Sequence, residues 1–545
     1  GSREPGAGSR EPGAGSREPG AGSREPGAGS RWSTVDVQRD VLVVARTVAA
    51  LTRLLDVVSL IAGDPRIQIS FTTDDEHPAH FRAGVDELLH GLEPRIVSWS
   101  QARHDRFDLA LSASENDRLD QLAAPVLRLP HGLAFQKRYP GSTVISGLNP
   151  DRFPGAETIT VGLAHPAQQQ HPDAAGRRTA VVGDPAWGRM LASRHRRGVY
   201  RTALGATGRH LVVLASTWGP DSLLGAALDL PERLAARLPL DAFALVVVLH
   251  PGAWARHGPW QVRSWLARAT AAGVRVLPPE SGWQAALLAA DAVVTDHGSL
   301  AGYAALTGVP LLLGPRPSGT TVPDSVADRL AAHRDRLDLT GDLRAQLEKV
   351  MRDHAPDAYR EVLAGTVERP TETASRLRSW IHRAIALPEP STPAEFPPLP
   401  VPPPAQHTAT GAWVAGIDED GITRYPDTGH GPVHEDLPYR HVVARLEHAT
   451  LTQVAAAAIL GVDRIPDEDP LASWPHATLL ATVTDGVCHV RTRQGAHLRL
   501  RGGAAVDPWA LASWVWWRLQ RGEPLTGSDQ VRIGSRVITI HSEDC

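Results

Sequence analysis

Cysteine is all but missing from this chain: Cys488 and the terminal Cys545 are the two in 545 residues. Two thiols build neither a disulfide framework nor a structural zinc site, which fits a reducing cytosol. Lysine is as rare, present at Lys137 and Lys349 alone, so nearly every cation is an arginine. With abundant Ala, Gly and Pro, that bias points to GC-rich coding. No apolar run approaches the roughly 20 residues of a membrane span. The first residues lack the basic-then-apolar layout of a secretory signal. The expectation is a cytoplasmic protein, with peripheral contact at the inner face of the cell membrane left open. A net charge of -4 and a pI near 6.7 give no bulk attraction for nucleic acid. GxxxxGK[ST] is absent, which argues against a P-loop enzyme. The turn after Val44 also lacks GxGxxG, which disfavours a dinucleotide fold of the dehydrogenase kind. Histidine, by contrast, is plentiful at 24, so a lone His carries little information.

What is present begins with the unit GSREPGA repeated over residues 1–28. No apolar position recurs in it, and Gly, Pro and mixed charge predict a disordered arm, residues 1–31, without a site. Beyond Trp32, apolar runs predict strands at 41–44, 67–71, 96–99, 107–111 and 126–129, with helices at 47–61 and 83–89. A second set starts near Arg209: strands at 211–215, 244–249, 274–277, 292–295 and 310–313. Its helices are expected at 223–238, 260–272 and 283–290, and further helices from 324 to 386 close the unit. Strands alternating with helices indicate parallel sheets. The fold expected is α/β: two Rossmann-like lobes, 32–190 and 191–386, facing each other across a cleft. Residues 387–406 form a stiff Pro-rich linker, and 407–545 a smaller α+β domain.

In that last domain a helix is expected over 441–460, β-alternation near 483–490 and 496–500, and a Trp-rich helix over 509–519. The stretch 451–463 faintly resembles a helix-turn-helix. However, 12 arginines face 17 acidic residues after position 406, and an acidic module seldom grips phosphate backbones. Trp514, Trp516 and Trp517 read as core or as a docking face for a protein partner.

Four clusters fall at expected strand ends, where open parallel sheets place their ligands. Pro130-His131-Gly132, with Lys137 following, offers a general base and a phosphate contact; the plain alternative is a turn histidine and a surface lysine. Ser216-Thr217-Trp218-Gly219 could meet diphosphate oxygens or cap the next helix. His250-Pro251-Gly252 leaves an imidazole at the sheet edge. Thr295-Asp296-His297-Gly298-Ser299 closes the set. There Ser299 is placed to cap a helix whose first amides carry the positive dipole end, and Gly298 permits close approach of a phosphate. An ordinary βαβ turn is the alternative.

These stretches resemble the GT-B superfamily and, within it, the CDP-glycerol glycerophosphotransferases of teichoic acid synthesis. The HGTPLKK signature of that family is matched by His131-Gly132-Leu133-Ala134-Phe135-Gln136-Lys137. Its PTW motif is matched by Ser216-Thr217-Trp218, its His-Pro pair by His250-Pro251, and its TDYSS turn by Thr295 to Ser299. Gly183-Asp184-Pro185 is similar to the passage between lobes in these proteins and in the UDP-N-acetylglucosamine 2-epimerases. The resemblance implies that His131 deprotonates an acceptor hydroxyl, which attacks a nucleotide-activated donor, either a CDP-alcohol or a nucleotide sugar. His250, Thr217, Ser299 and the helix amides would hold the diphosphate, with Lys137, Ser216, Asp296, His297 and Gly298 lining the donor site. No metal and no cofactor is implied. Two other readings stay open: a relative that binds without turnover and serves as an interaction module, and a sugar-nucleotide epimerase, set back because the paired glutamates of those enzymes are missing.

Overall fold

Short runs of β-branched and aliphatic residues buried on both faces organise the chain. In the computed structural model, residues 34–139, 141–149, 151–153, 157–171, 174, 176–314, 321–332, 336–403, 410–429, 434–464, 469–503 and 506–545 are described. The GSREPGA arm and the last residues of the Pro-rich linker lie outside them.

The first lobe holds β1 (Arg39–Val44), β2 (Ile67–Thr72), β3 (Leu109–Ser112), β4 (Val126–Arg128), β5 (Ile159–Leu163) and β6 (Arg178–Val181). They form one parallel sheet in the order β2-β1-β3-β4-β5-β6. Residues 41 to 44 of β1 show why a continuous apolar run is needed. Val41 and Val43 pack under the helix Val48–Val58, while Leu42 and Val44 pack with Trp99 on the other face. The second lobe holds β7 (His210–Ser216), β8 (Phe243–Leu249), β9 (Arg275–Val276), β10 (Ala292–Thr295) and β11 (Leu311–Leu313), parallel in the order β11-β10-β7-β8-β9. The strand order reverses between β7 and β10. At such a switch point the two following loops diverge and open a crevice at the carboxyl edge.

Several expected elements differ. Residues 96–99 are no strand: only an isolated bridge joins Phe71 to Ile96. Ser98 and Gln101 instead form a capping box that starts the helix Trp99–His104. The helix expected over 223–238 is two, Leu223–Ala226 and Leu230–Ala235, because Pro231 belongs at a helix start. Strands β5 and β6 were not anticipated. The helix Thr373–Ala384, grouped by sequence with the second lobe, buries Ala374, Leu377 and Ile381 in the core of the first.

The Pro-rich segment is extended, and it is packed rather than free. Phe396 lies in the first lobe's core and Leu399 in the second's. Arg189 donates to the carbonyl of Pro397, and Tyr200 Oη to that of Leu399. The segment straps the two lobes together.

The C-terminal domain is the largest correction. In place of an α+β unit, nine strands close into a barrel: β12 (Ala412–Asp418), β13 (Gly421–Pro426), β14 (His441–Arg445), β15 (Ile459–Gly461), β16 (Leu479–Thr484), β17 (Val487–Thr492), β18 (His497–Arg501), β19 (Gly527–Ile533) and β20 (Arg536–Asp544). The helix expected over 441–460 is strand β14, a short helix Leu451–Ala456 and strand β15. Edge pairing of β14 with β12 and β15 outweighs the alanine-rich local preference. No second helix follows Ala456 before β15, so the helix-turn-helix likeness fails. The Trp-rich helix, Leu511–Arg521, buries Trp514 and Val515 in the barrel core, and Trp516 stacks on His441 at 4.2 Å. No described helix is long and apolar enough to cross a membrane.

Phe396 is 7% exposed. We expect Phe396→Ala to lower unfolding free energy by about 3–5 kcal/mol, the usual range for a buried phenylalanine. A urea titration showing a loss below about 1 kcal/mol would mark the strap as a mere tether.

Candidate functional site

The helix Val48–Val58 carries one residue that its apolar stripe does not explain. Arg53 is 4% exposed among Leu51, Leu54 and Val57. Its guanidinium has five N–H groups, and the structure gives each a partner. Nε donates to the carbonyl of Pro130 at 3.1 Å and Nη2 to that of Gly132 at 3.0 Å. Nη1 and Nη2 clasp the Asp184 carboxylate at 2.9 and 2.6 Å, and Nη1 also reaches Tyr303 Oη at 2.7 Å. Burial opposes the charge on Arg53, but Asp184 and Tyr303 outweigh it and hold its pKa above the ordinary arginine value. Burial likewise pushes the Tyr303 phenol well up, so it stays neutral. One cation thus ties together the turn at His131, the Asp184 cap of the inter-lobe helix Pro185–Ala192, and the helix Ser299–Thr307 of the second lobe.

That tie brings the strand-end loops of both lobes into contact. Leu133, fully buried, sits in the second lobe's core, where a Cβ added to Gly302 would lie 2.5 Å from it. Gly132 lies against Ser299: an added Cβ would meet the serine Cβ at 3.1 Å and its Oγ closer still. Lys137 Nζ donates to Thr217 Oγ1 at 3.3 Å across the gap. The amide of Val322 donates to the Gln136 carbonyl at 2.9 Å. Phe81 of the first lobe and Trp218 of the second pack with ring centroids 5.4 Å apart.

His131, His250 and His297 all lie within electrostatic range of Lys137. Withdrawal from bulk water between the lobes, then the charges of Arg53 and Lys137, hold His131 below the ordinary histidine value. By accessible surface His131 is an exposed residue of its turn. His250, only partly exposed, is pushed down to about 3, by burial first and then by Lys137 and His131. Burial and Lys137 lower His297 in the same sense. Lys137 itself is lowered by burial, against the pull of Asp296. All three imidazoles are accordingly neutral near pH 7. His250 Nδ1 accepts the Gly252 amide at 2.9 Å as cap of its helix, so the proton of this neutral ring sits on Nε2, a donor. His297 Nδ1 is buried with no hydrogen-bond partner among the described residues.

Not every expected site residue faces the gap. Asp296, 4% exposed, spends both oxygens on backbone. Oδ2 accepts the amides of Thr217 and Leu223, each at 2.8 Å, and Oδ1 that of Gly298 at 3.0 Å. Ser216 Oγ accepts the Leu224 amide at 3.0 Å and donates to the Thr217 carbonyl. These two residues shape the loops after β7 and β10. Ser299 does not cap its helix: Gly298 is the cap residue, without a side-chain bond, and Ser299 is the first helical residue. Among the described residues, no group of three or more His, Cys, Asp or Glu side chains could hold a metal ion.

Sequence reasoning passed over Arg53, Asp184 as its partner, and Tyr303. A signal for Arg53 existed: a guanidinium on the buried stripe of VAALTRLLDVV must find an acid.

No family model and no curated protein matches this chain. Similar solved structures include Anabaena HepE in complex with UDP-glucose, 14% identical, covering 63% of this chain and 100% of its own, with a TM-score of 0.35. The wall teichoic acid polymerase TagF is 11% identical over 65% of this chain and 90% of its own, TM-score 0.42. Methanocaldococcus jannaschii UDP-GlcNAc 2-epimerase, in complex with UDP-GlcNAc and UDP, is 11% identical over 63% and 99%, TM-score 0.40. None of these carries a residue role over to this chain.

Removing Arg53 as Arg53→Met leaves Asp184 buried without its cation. The expected loss is about 3–5 kcal/mol in a urea titration; a value under about 1 kcal/mol would deny Arg53 its joining role. His250 gives a pH prediction. Its folded pKa near 3 lies below the unfolded value of about 6.5, so the unfolded chain binds the extra proton between them. Stability is full above the unfolded value and falls as pH drops toward 3. His250→Asn, which keeps a capping acceptor, should shallow the fall of Tm between about pH 6.5 and 4; an unchanged slope refutes this.

Proposed function

We propose that the chain is a GT-B-type transferase that moves a glycosyl or glycerophosphate group from a nucleotide-activated donor to an acceptor hydroxyl. One observation carries the reading. Near the switch point of the second sheet, two histidines held below their ordinary value, a half-buried lysine and a helix start are contributed by both lobes. Neutral donors and a single ammonium, backed by helix amides, suit a diphosphate entering a site of low polarity.

In this reading the donor's diphosphate lies between His250 Nε2–H, Lys137 and the first amides of the helix Ser299–Thr307. Thr217 sits beside Lys137 and helps fix its position. His131, unprotonated near pH 7, takes the proton of the acceptor hydroxyl. With a CDP-alcohol, the oxygen forms a bond to the β-phosphorus and the bridging bond to CMP breaks. With a nucleotide sugar, it forms a bond to the anomeric carbon and a nucleoside diphosphate leaves. In either case, the negative charge gained by the leaving phosphate meets the same donors. Asp296 and Ser216 act as positioning residues: their bonds set the loop that presents Thr217 and Gly298.

Calorimetry with UDP, CMP and CDP-glycerol tests the binding half. His250→Ala is expected to weaken binding at least tenfold, the scale of a hydrogen bond to a charged group; unaltered affinity removes His250 from the site. Turnover is tested separately. His131→Ala should lower donor consumption by about 10²–10⁴-fold. In the wild type, the acid limb of kcat/KM should lie below the ordinary histidine value of about 6.5, because activity needs the unprotonated ring. An acid limb at or above that value, or equal rates for the two proteins, excludes His131 as the base.

A further inference from the structure

The helices that follow His250 carry a surface that the cleft does not use. Residues 242–279 contain no Asp or Glu, in a chain where acidic residues outnumber Lys and Arg by 60 to 56. The same run holds Arg256, Arg263, Arg268 and Arg275, with Trp254, Trp260 and Trp265 among them. It folds as the helices Pro251–His257, Pro259–Trp265 and Ala267–Ala271, the first capped by His250. A local excess of one sign among aromatics bears on partners rather than on fold.

Packing sorts these side chains. Trp254, Val262, Leu266 and Ala269 enter the second lobe's core and fix the helices to it. Arg275 is buried and donates to the Ala203 carbonyl. Arg268 turns to the barrel, where its Nη2 donates to the Thr428 carbonyl at 2.7 Å, and its Nε lies 3.3 Å from Glu232. The rest faces solvent. Trp260 is 74% exposed, the highest value among the large apolar side chains described, and Trp265 is 41% exposed. His257, also exposed, meets the Trp265 ring edge-on at 4.9 Å. Arg256 and Arg263 are exposed, and neither guanidinium has a hydrogen bond or ion pair among the described residues.

A single exposed apolar side chain is ordinary. Two tryptophans on one short helix, with unpaired guanidiniums beside them, call for an occupant. Trp260 and Arg263 are three residues apart and therefore neighbours on the helix surface. The core of a protein–protein interface is depleted of charge, which suits this mixture poorly. The headgroup layer of a bilayer suits it well: a tryptophan ring sits at the boundary between water and hydrocarbon, and an arginine beside it meets phosphate. Glu232, the acid paired with this segment, is held by Arg268, so the segment itself carries nothing that opposes an anionic surface. A protein that lies on a membrane needs no spanning helix.

We propose that the exposed face of the helices Pro251–His257 and Pro259–Trp265 is a docking surface for an anionic lipid bilayer. Trp260 and Trp265 enter the headgroup layer, and Arg256 and Arg263 meet lipid phosphates. Val262 and Leu266 already hold the second helix in the lobe's core, so the surface is preformed and binding pays little ordering entropy.

Co-sedimentation of the full chain with vesicles tests this, using pure phosphatidylcholine against an equal mixture of phosphatidylcholine and phosphatidylglycerol. We expect binding to the mixed vesicles, weakened by molar salt, and little to the neutral ones. Arg256→Gln/Arg263→Gln should weaken it at least tenfold, each arginine near an anionic surface being worth roughly fivefold. Trp260→Ser/Trp265→Ser should also weaken it at least tenfold, the scale of an aromatic ring's burial. The four side chains are exposed, so both variants should keep the wild-type Tm. Leu451→Ser, which removes a side chain 73% exposed on the barrel, should bind as the wild type does. No sedimentation with the mixed vesicles overturns the proposal, as does wild-type binding by both double variants. Equal binding to neutral vesicles overturns the anionic surface, and an equal loss in Leu451→Ser overturns its location. A random DNA duplex bound in place of vesicles overturns the lipid occupant. Vesicle binding is read without donor or acceptor, so failure of the transferase reading leaves this one standing.

Discussion

A single buried guanidinium sets the geometry on which everything else depends. Arg53 is held by two carbonyls of the His131 turn, by the carboxylate that caps the inter-lobe helix, and by the phenol of the helix beginning at Ser299. Each partner belongs to a different stretch of chain, and the guanidinium is planar, so the three stretches are fixed in orientation as well as in distance. A lysine has too few donors and no plane to do this. The turn that presents His131 is therefore coupled to the helix start opposite by bonds that exclude water, and Leu133 entering the second lobe's core reinforces the coupling with packing.

Around that junction the chemistry is one of neutral groups held in readiness. Burial and the two cations, Arg53 and Lys137, keep His131, His250 and His297 deprotonated. A cluster of imidazolium ions would attract a diphosphate more strongly but could not accept a proton. In the proposed transfer the work is divided: the His250 cap fixes its proton on Nε2, a donor, while His131 is the acceptor. Asp296 accounts for the order of the loops. By accepting backbone amides on both oxygens, it joins the ends of β7 and β10, which the sheet's switch point would otherwise leave diverging.

The barrel occupies the other end of the same strands. Its anchor, Arg424, repeats the logic of Arg53 in a less complete form: two carboxylates on one edge and an unsatisfied nitrogen on the other.

Much of the two-lobe plan was legible in the sequence, because buried parallel strands are continuous apolar runs and period alone reveals them; β1, β7, β8 and β10 were found this way. The four strand-end clusters were legible too, since polar and glycine residues break those runs abruptly. The barrel was not. Strands β14 and β15 are short, and the alanine-rich run before β15 favours a helix locally; only pairing with β12 and β16, distant in sequence, makes the strands. Nor could sequence tell which polar residues of a cluster face the gap. Asp296 and Ser216 look like ligands in one dimension and prove to be braces in three, because backbone amides claimed them first. The residue types and their order along each strand end were thus determined by sequence. Which side chains remain free to act was decided by tertiary structure, since hydrogen-bond partners come from segments that no local pattern connects.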